Sequence, residues 1–250
     1  FFNQSSEQNE TADEYLSGDV RWKLRLLKEI DNPKYATNME ALEKVQPNNL
    51  TASEIDVRLG ATWIPPEDIQ RFVIELLKPA YYASSKIKVH YSRLTAQWNI
   101  SGKTSDYGNV TANVTYGTKR INAYKIIEET LNLKDVRIFD TVYDESSGEK
   151  RILNRNETVL AQQKQQLIKD AFRDWLWKDP DRRDRLTTLY NTKFNSIRPR
   201  EYDGSHIRFV GMNPEITLRP HQVNAVARVI YGGNTLLAHV VGAGKSATRS

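Results

Sequence analysis

The stretch 218–246, LRPHQVNAVARVIYGGNTLLAHVVGAGKS, decides how this chain is read. Its first half has the pattern of a helix. Pro220 stands in the first turn, where its missing N–H costs nothing, and Val223, Val226, Ala227 and Ile230 recur at helical spacing. Gly232-Gly233 closes the helix. The run 235–241, TLLAHVV, is short and apolar, as a buried parallel strand requires. Gly242-Ala243-Gly244-Lys245-Ser246 follows, and Ala247-Thr248 opens what should be a further helix.

Strand, glycine loop and helix start, in that order, build a phosphate cradle. The two glycines let the backbone curl so that successive N–H groups point at oxyanions. The next helix adds the positive end of its dipole. Lys245 would meet the β- and γ-phosphates, and the Ser246 hydroxyl would coordinate Mg²⁺. A chance G-x-G-K-[S/T] is about a 1% event in a chain of this length, so the motif carries weight. The strict eight-residue form has Gly at position 239, where this chain has His239. A nucleotide and Mg²⁺ are the expected cofactors, with Lys245 as the catalytic cation.

Within the quoted stretch the chain resembles the opening of the helicase core of superfamily 2 proteins, in its SNF2-like branch. It is especially similar to large proteins of phages and bacterial mobile elements that join a DNA methylase region to such a core. The resemblance implies that Gln222 is the glutamine whose amide reads the adenine edge, and that Gly242, Ala243, Gly244, Lys245 and Ser246 form motif I. YLSGDVRWKL (15–24), LGATWIP (59–65) and FNSIRPREYDG (194–204) also resemble the segment preceding the core in those proteins. DNA is the implied partner, with a methylase domain of the same polypeptide as a second.

Upstream, the chain reads as a mixed region of short helices and hairpins. Residues 1–10 are polar and read as a linker. Thr11 to Glu14 has the pattern of a capping box. Helices are expected at 20–30, around Met39 to Val45, from Ser53 through Ile55 and Leu59 to Gly60, and after Pro65-Pro66, where Ile69, Phe72, Val73, Leu76 and Leu77 share a face. The alternating runs 88–100 and 109–116 suggest one hairpin, and 136–143 with 150–153 a second. Helices are expected again at 120–131, at 157–178 with Leu160, Lys164, Leu167, Ile168, Phe172 and Leu176 on its apolar face, and at 182–194. The fold class expected is therefore an α+β accessory region, 11–200, followed at 201–250 by the truncated start of an α/β RecA-like P-loop domain.

Charge is uneven along this region. Residues 150–200 hold 13 Lys/Arg and 6 Asp/Glu, a local excess of +7 in a chain whose formal charge is +5. Arg182, Arg183 and Arg185 make a candidate phosphate-facing surface. The alternative is a solvated pair of helices, with these arginines paired to Asp179, Asp181 and Asp184. His90, His206, His221 and His239 are dispersed and suggest no metal site. Adjacent carboxylates, Glu128-Glu129 and Asp144-Glu145, do not face each other.

Composition bounds what remains. With 250 residues and no cysteine, the chain has room for one or two cores. Disulfides, iron–sulfur clusters and thiolate chemistry are excluded. The first residues lack a signal peptide's basic and apolar regions, and no run of eighteen apolar residues suggests a membrane span. A cytoplasmic setting is expected, and the Asn-x-Ser/Thr triplets read as ordinary polar sequence. Phe1 is not a native start, and the acidic motif that holds Mg²⁺, the second lobe and its arginine finger would follow Ser250. The expectation is therefore a fragment of an ATP-dependent DNA helicase or translocase, inactive in hydrolysis by itself. Two other readings stay open: a nucleic-acid-binding or interaction module, and a P-loop NTPase unrelated to nucleic acid.

Overall fold

A computed structural model describes residues 1–144, 148–213 and 215–238. Its contacts divide the chain into two compact units, 50–191 and a second formed by 1–49 together with 192–250. Among the described residues, helices alternate with four two-stranded antiparallel sheets. In chain order the elements are β1 (Phe2–Asn3), β2 (Gln8–Asn9), α1 (Ala12–Tyr15), β3 (Gly18–Asp19), α2 (Val20–Ile30), α3 (Ala36–Lys44), α4 (Pro66–Leu77), α5 (Tyr81–Ser84), β4 (Lys88–Ser92) and β5 (Gln97–Ser101). They continue with α6 (Ala123–Leu131), β6 (Phe139–Asp144), β7 (Gly148–Leu153), α7 (Arg155–Lys178), α8 (Pro180–Lys193), β8 (Ile197–Arg198) and α9 (Pro220–Gly232).

The unit 50–191 carries the larger core. Pro66 starts α4, with Glu67 and Asp68 in the first turn where the helix dipole favours them. Ile69, Phe72, Val73 and Leu77 are buried, and Lys78 ends the helix in the left-handed region. Phe72 meets Phe172 of α7 edge-to-face, ring centroids 5.0 Å apart. The buried stripe of α7 is Ala161, Gln165, Ile168, Phe172 and Leu176. Leu160 and Leu167, expected on this face, are exposed, because the stripe runs one position round and passes through a polar residue. That residue, Gln165, is fully bonded: it accepts from the Val136 amide at 3.2 Å and donates to Thr130 Oγ1 at 3.0 Å and to the Lys134 carbonyl at 2.8 Å. Asn191 closes the unit by bonding both the amide and the carbonyl of Leu50, at 2.8 and 2.9 Å.

Two expectations change in this unit. Residues 53–60 form turns rather than a helix. Ile55, Val57 and Leu59 are buried while Asp56 and Arg58 between them are exposed, a period of two that only extended chain satisfies. Gly60 then sits at φ +103°, where an added Cβ would meet the Leu131 carbonyl oxygen at 2.4 Å. The run 109–116 is not the second strand of a hairpin: the hairpin is β4–β5, with Tyr91 opposite Trp98, and residues 111–115 make a helical turn. Asn109 decides this, since its Oδ1 accepts the Ala112 amide and its Nδ2 donates to the Leu77 carbonyl. The second hairpin is β6–β7, pairing Phe139 with Leu153 and Val142 with Lys150.

The other unit joins distant parts of the chain. β3 pairs antiparallel with β8, Gly18 opposite Arg198 and Asp19 opposite Ile197. Arg21 reinforces the seam through its Nε bond to the Asn195 carbonyl, 2.8 Å, and a second bond to the Pro47 carbonyl. This pairing lies within the compact unit formed by 1–49 together with 192–250. Tyr15, Val20, Leu27 and Leu42 form its small core. Asp19 caps α2 by accepting the Trp22 amide. The Thr11 side chain accepts no amide at the start of α1, so the capping box expected there is not formed.

Candidate nucleotide and nucleic-acid sites

The glycine loop Gly242, Ala243, Gly244, Lys245 and Ser246 lies outside the described residues, as do His239 and the end of the expected strand. Residues 235–238 are described and carry no strand. What is described of this region is the approach to the loop, α9. Arg219 precedes it with extended backbone, and Pro220 occupies the first helical position. The Arg219 amide donates to Gln222 Oε1 at 2.8 Å, and the Gln222 amide donates back to the Arg219 carbonyl at 2.9 Å. Gln222 is thus buried at the helix start with its oxygen holding the cap.

The stretch 194–204 is explained by what it does to α9. The Gly204 amide donates to Asn224 Oδ1 at 3.0 Å, and a Cβ at 204 would meet the Val223 carbonyl oxygen at 2.4 Å. Beside this contact is a cavity of about 700 Å³ lined by Asp13, Arg200, Tyr202, His206, Asn224 and Tyr231. Arg200 reaches Asp13 at 2.9 Å and Glu14 at 3.5 Å. Its guanidinium stands 4.9 Å from the centre of the Tyr202 ring. His206 Nε2 and the Tyr231 hydroxyl are 2.9 Å apart. The Thr11 hydroxyl, followed by Arg200, holds the Asp13 carboxyl below its ordinary range. The cavity therefore combines aromatic faces with one well-anchored cation.

Of the three arginines expected to face phosphate, two are engaged within unit 50–191. Arg182 is buried in the corner between α7 and α8. Its Nε donates to the Leu176 carbonyl at 3.1 Å, a further nitrogen bonds the Trp175 carbonyl, and the guanidinium lies 3.5 Å from the Trp175 ring centre. It thereby satisfies carbonyls at the end of α7 that have no helical partner. Arg185 bonds Asp68 at 2.6 Å, and Asp68 is buried. Arg183 lies 3.8 Å from Asp184 and is half-exposed, as Arg185 is. The local excess of positive charge is real, but Arg182 and Arg185 spend it on holding helices together.

A denser charge imbalance lies further upstream. Residues 78–127 contain eight Lys/Arg and one acid, Asp106. That Asp is buried and accepts from the Ala80 amide at 3.2 Å, Asn109 Nδ2 at 2.6 Å and the Tyr124 hydroxyl at 2.7 Å. Burial first, then the bond to Asp106, pushes the Tyr124 phenol far above its ordinary value, so it stays protonated and donating. Glu128 beyond the segment is also buried. Burial opposes its ionisation, but bonds from Lys103, the Ile100 amide and Lys125 outweigh that and hold its carboxyl below the ordinary range. A count of charge in windows would have exposed this segment, whereas its tyrosines give no signal until exposure is known.

No group of three or more His, Asp or Glu among the described residues is arranged to hold a metal ion. No described helix is long and apolar enough to cross a membrane. The family model of DUF8437, described as a domain of unknown function, matches residues 58–196. No curated protein and no solved structure matches the chain. The matched residues make up more than half of the 250, and the chain belongs to the DUF8437 family.

Proposed function

We propose that the chain is the part of an ATP-dependent, SNF2-like DNA translocase that begins its RecA-like nucleotide-binding lobe, with the 50–191 unit as an accessory DNA-binding domain. The observation that carries this reading is the order of parts from 219 to 246. Gln222 is fixed at the first turn of α9 by a reciprocal cap, and ten residues after that helix comes the glycine loop with Lys245 and Ser246. A lobe that reads adenine and then cradles phosphate needs a helix start followed by a glycine loop in this order. The aromatic cavity beside α9 is of a size that takes a nucleotide. ATP and Mg²⁺ are the cofactors of this reading, DNA its partner and the cytoplasm its setting.

Gln222→Glu tests the adenine assignment in the intact protein. The variant keeps an oxygen for the Arg219 amide and removes the amide donor that would meet adenine N7. ATP use should weaken about tenfold, the scale of a lost bidentate base contact, while any use of GTP is unchanged. Equal losses with both nucleotides would assign Gln222 to the cap alone.

A further inference from the structure

We propose that the surface formed by α5, the turn 103–107 and the outer face of β4–β5 is a binding platform for single-stranded DNA. The choice of DNA rests on the translocase reading; the platform itself rests on four observations. Tyr81 is 97% exposed, Tyr107 84% and Tyr82 61%, so three large aromatic rings stand in solvent on one small unit. The two segments that carry them are pinned together by a buried carboxylate: Asp106, directly before Tyr107, holds the amide of Ala80, directly before Tyr81. Gly102 packs so closely on Lys86 that an added Cβ would meet the Lys86 carbonyl oxygen at 2.1 Å, which fixes the 102–107 loop beside the α5–β4 connection.

The fourth observation is charge. Lys78, Lys86, Lys88, Arg93 and Lys119 are exposed, and none pairs with a carboxylate among the described residues. The one acid of residues 78–127 is buried and bonded. On the outer face of the hairpin, Lys88 pairs with Ser101, His90 with Asn99 and Ser92 with Gln97, a polar strip with no negative charge.

Exposed rings beside unpaired cations fit one polymer well. Each base of a single strand offers a π-face to a tyrosine, and its phosphates meet the lysines. In a duplex the same faces are stacked on each other and unavailable, so the rings would contribute little to duplex binding. An acidic protein surface would use the cations but not three exposed aromatic rings.

The experiment is fluorescence anisotropy of the full chain, without ATP, with a labelled 20-nucleotide oligothymidylate and a blunt duplex of equal length. Replacing Tyr81 and Tyr107 by Ala should weaken oligothymidylate binding at least about tenfold and duplex binding less than about twofold. The paired phenylalanine variants should bind like the parent, which separates stacking from a folding defect. Replacing Lys78, Lys86 and Lys88 by Ala should flatten the slope of log K against log[salt] by about 2. Equal affinity of parent and alanine variant, tighter binding of the matching RNA oligomer, or capture only of vesicles containing phosphatidylserine would overturn the proposal. Because no nucleotide is present, failure of the ATPase reading leaves this result standing. Conversely, the tyrosine variants should keep their DNA-independent ATP turnover.

Discussion

Lys245→Ala should lower ATP hydrolysis by the intact protein by at least about 100-fold while its thermal unfolding stays within a few degrees of the parent. The lysine follows Gly244 directly, where a phosphate loop places the cation that meets the β- and γ-phosphates. Charge builds on those oxygens as the terminal phosphoryl group leaves, so the cation contributes more in the transition state than in the bound ground state. The effect should therefore appear in turnover more than in ATP binding. Steady-state hydrolysis and a nucleotide-binding titration on the same preparation separate the two. A variant that hydrolyses ATP like the parent would remove motif I from the account.

Asp106→Ala should be the most damaging single substitution in the 50–191 unit. The carboxylate holds three donors at 2.6 to 3.2 Å: Asn109, the Tyr124 hydroxyl and the Ala80 amide. Removing it leaves the buried Tyr124 hydroxyl without an acceptor. It also cuts the tie between the α5 entrance and the 103–107 turn. Two or three stranded donors cost about 3–5 kcal/mol, which corresponds to a fall in Tm of roughly 10 °C for a unit of this size. Tyr124→Phe removes only one of the donors and should cost about 1–2 kcal/mol. Circular-dichroism melts of both variants decide the point. If Asp106→Ala melted within 3 °C of the parent, water would have to replace the carboxylate at no cost.

The elements that were legible in the sequence are those with strong local punctuation. Pro66 and Lys78 bracket α4, Asn122 and Asn154 cap α6 and α7, and Pro180 separates α7 from α8, so those helices fall close to where spacing puts them. The misreadings share a physical cause: a tertiary contact outweighed a local pattern. Ser53 looked like a cap, yet Ile55, Val57 and Leu59 each reach the core at a spacing of two. The 109–116 run has strand-forming residues, yet the Asn109 side chain bonds Leu77, more than thirty residues away, and curls the segment. On α7 a polar residue, Gln165, occupies the stripe that Leu160 and Leu167 were expected to share.

For the sites the contrast is similar. Lys245 and Gln222 stand out because the pattern expected of a phosphate loop and the pattern of a helix start are written in consecutive residues. Arg182 and Arg185 were visible as charge, but their partners, the α7 carbonyls and Asp68, are set by packing. The tyrosine surface was invisible for a different reason. Tyrosine is usually at least half buried, and nothing local distinguishes Tyr81, fully exposed, from Tyr124, fully buried. Only the missing acids between 78 and 127 hinted at it.

A translocase couples nucleotide to DNA, and ATP turnover by the intact protein with and without DNA measures that coupling directly. A translocase hydrolyses ATP faster when the DNA it moves along is bound, so turnover should rise several-fold on adding DNA and should fall back as salt releases the phosphate contacts. ATP turnover that is the same with saturating DNA as without it, at a salt concentration where DNA is bound, would contradict the translocase reading and leave a nucleotide-binding loop joined to a domain with some other task.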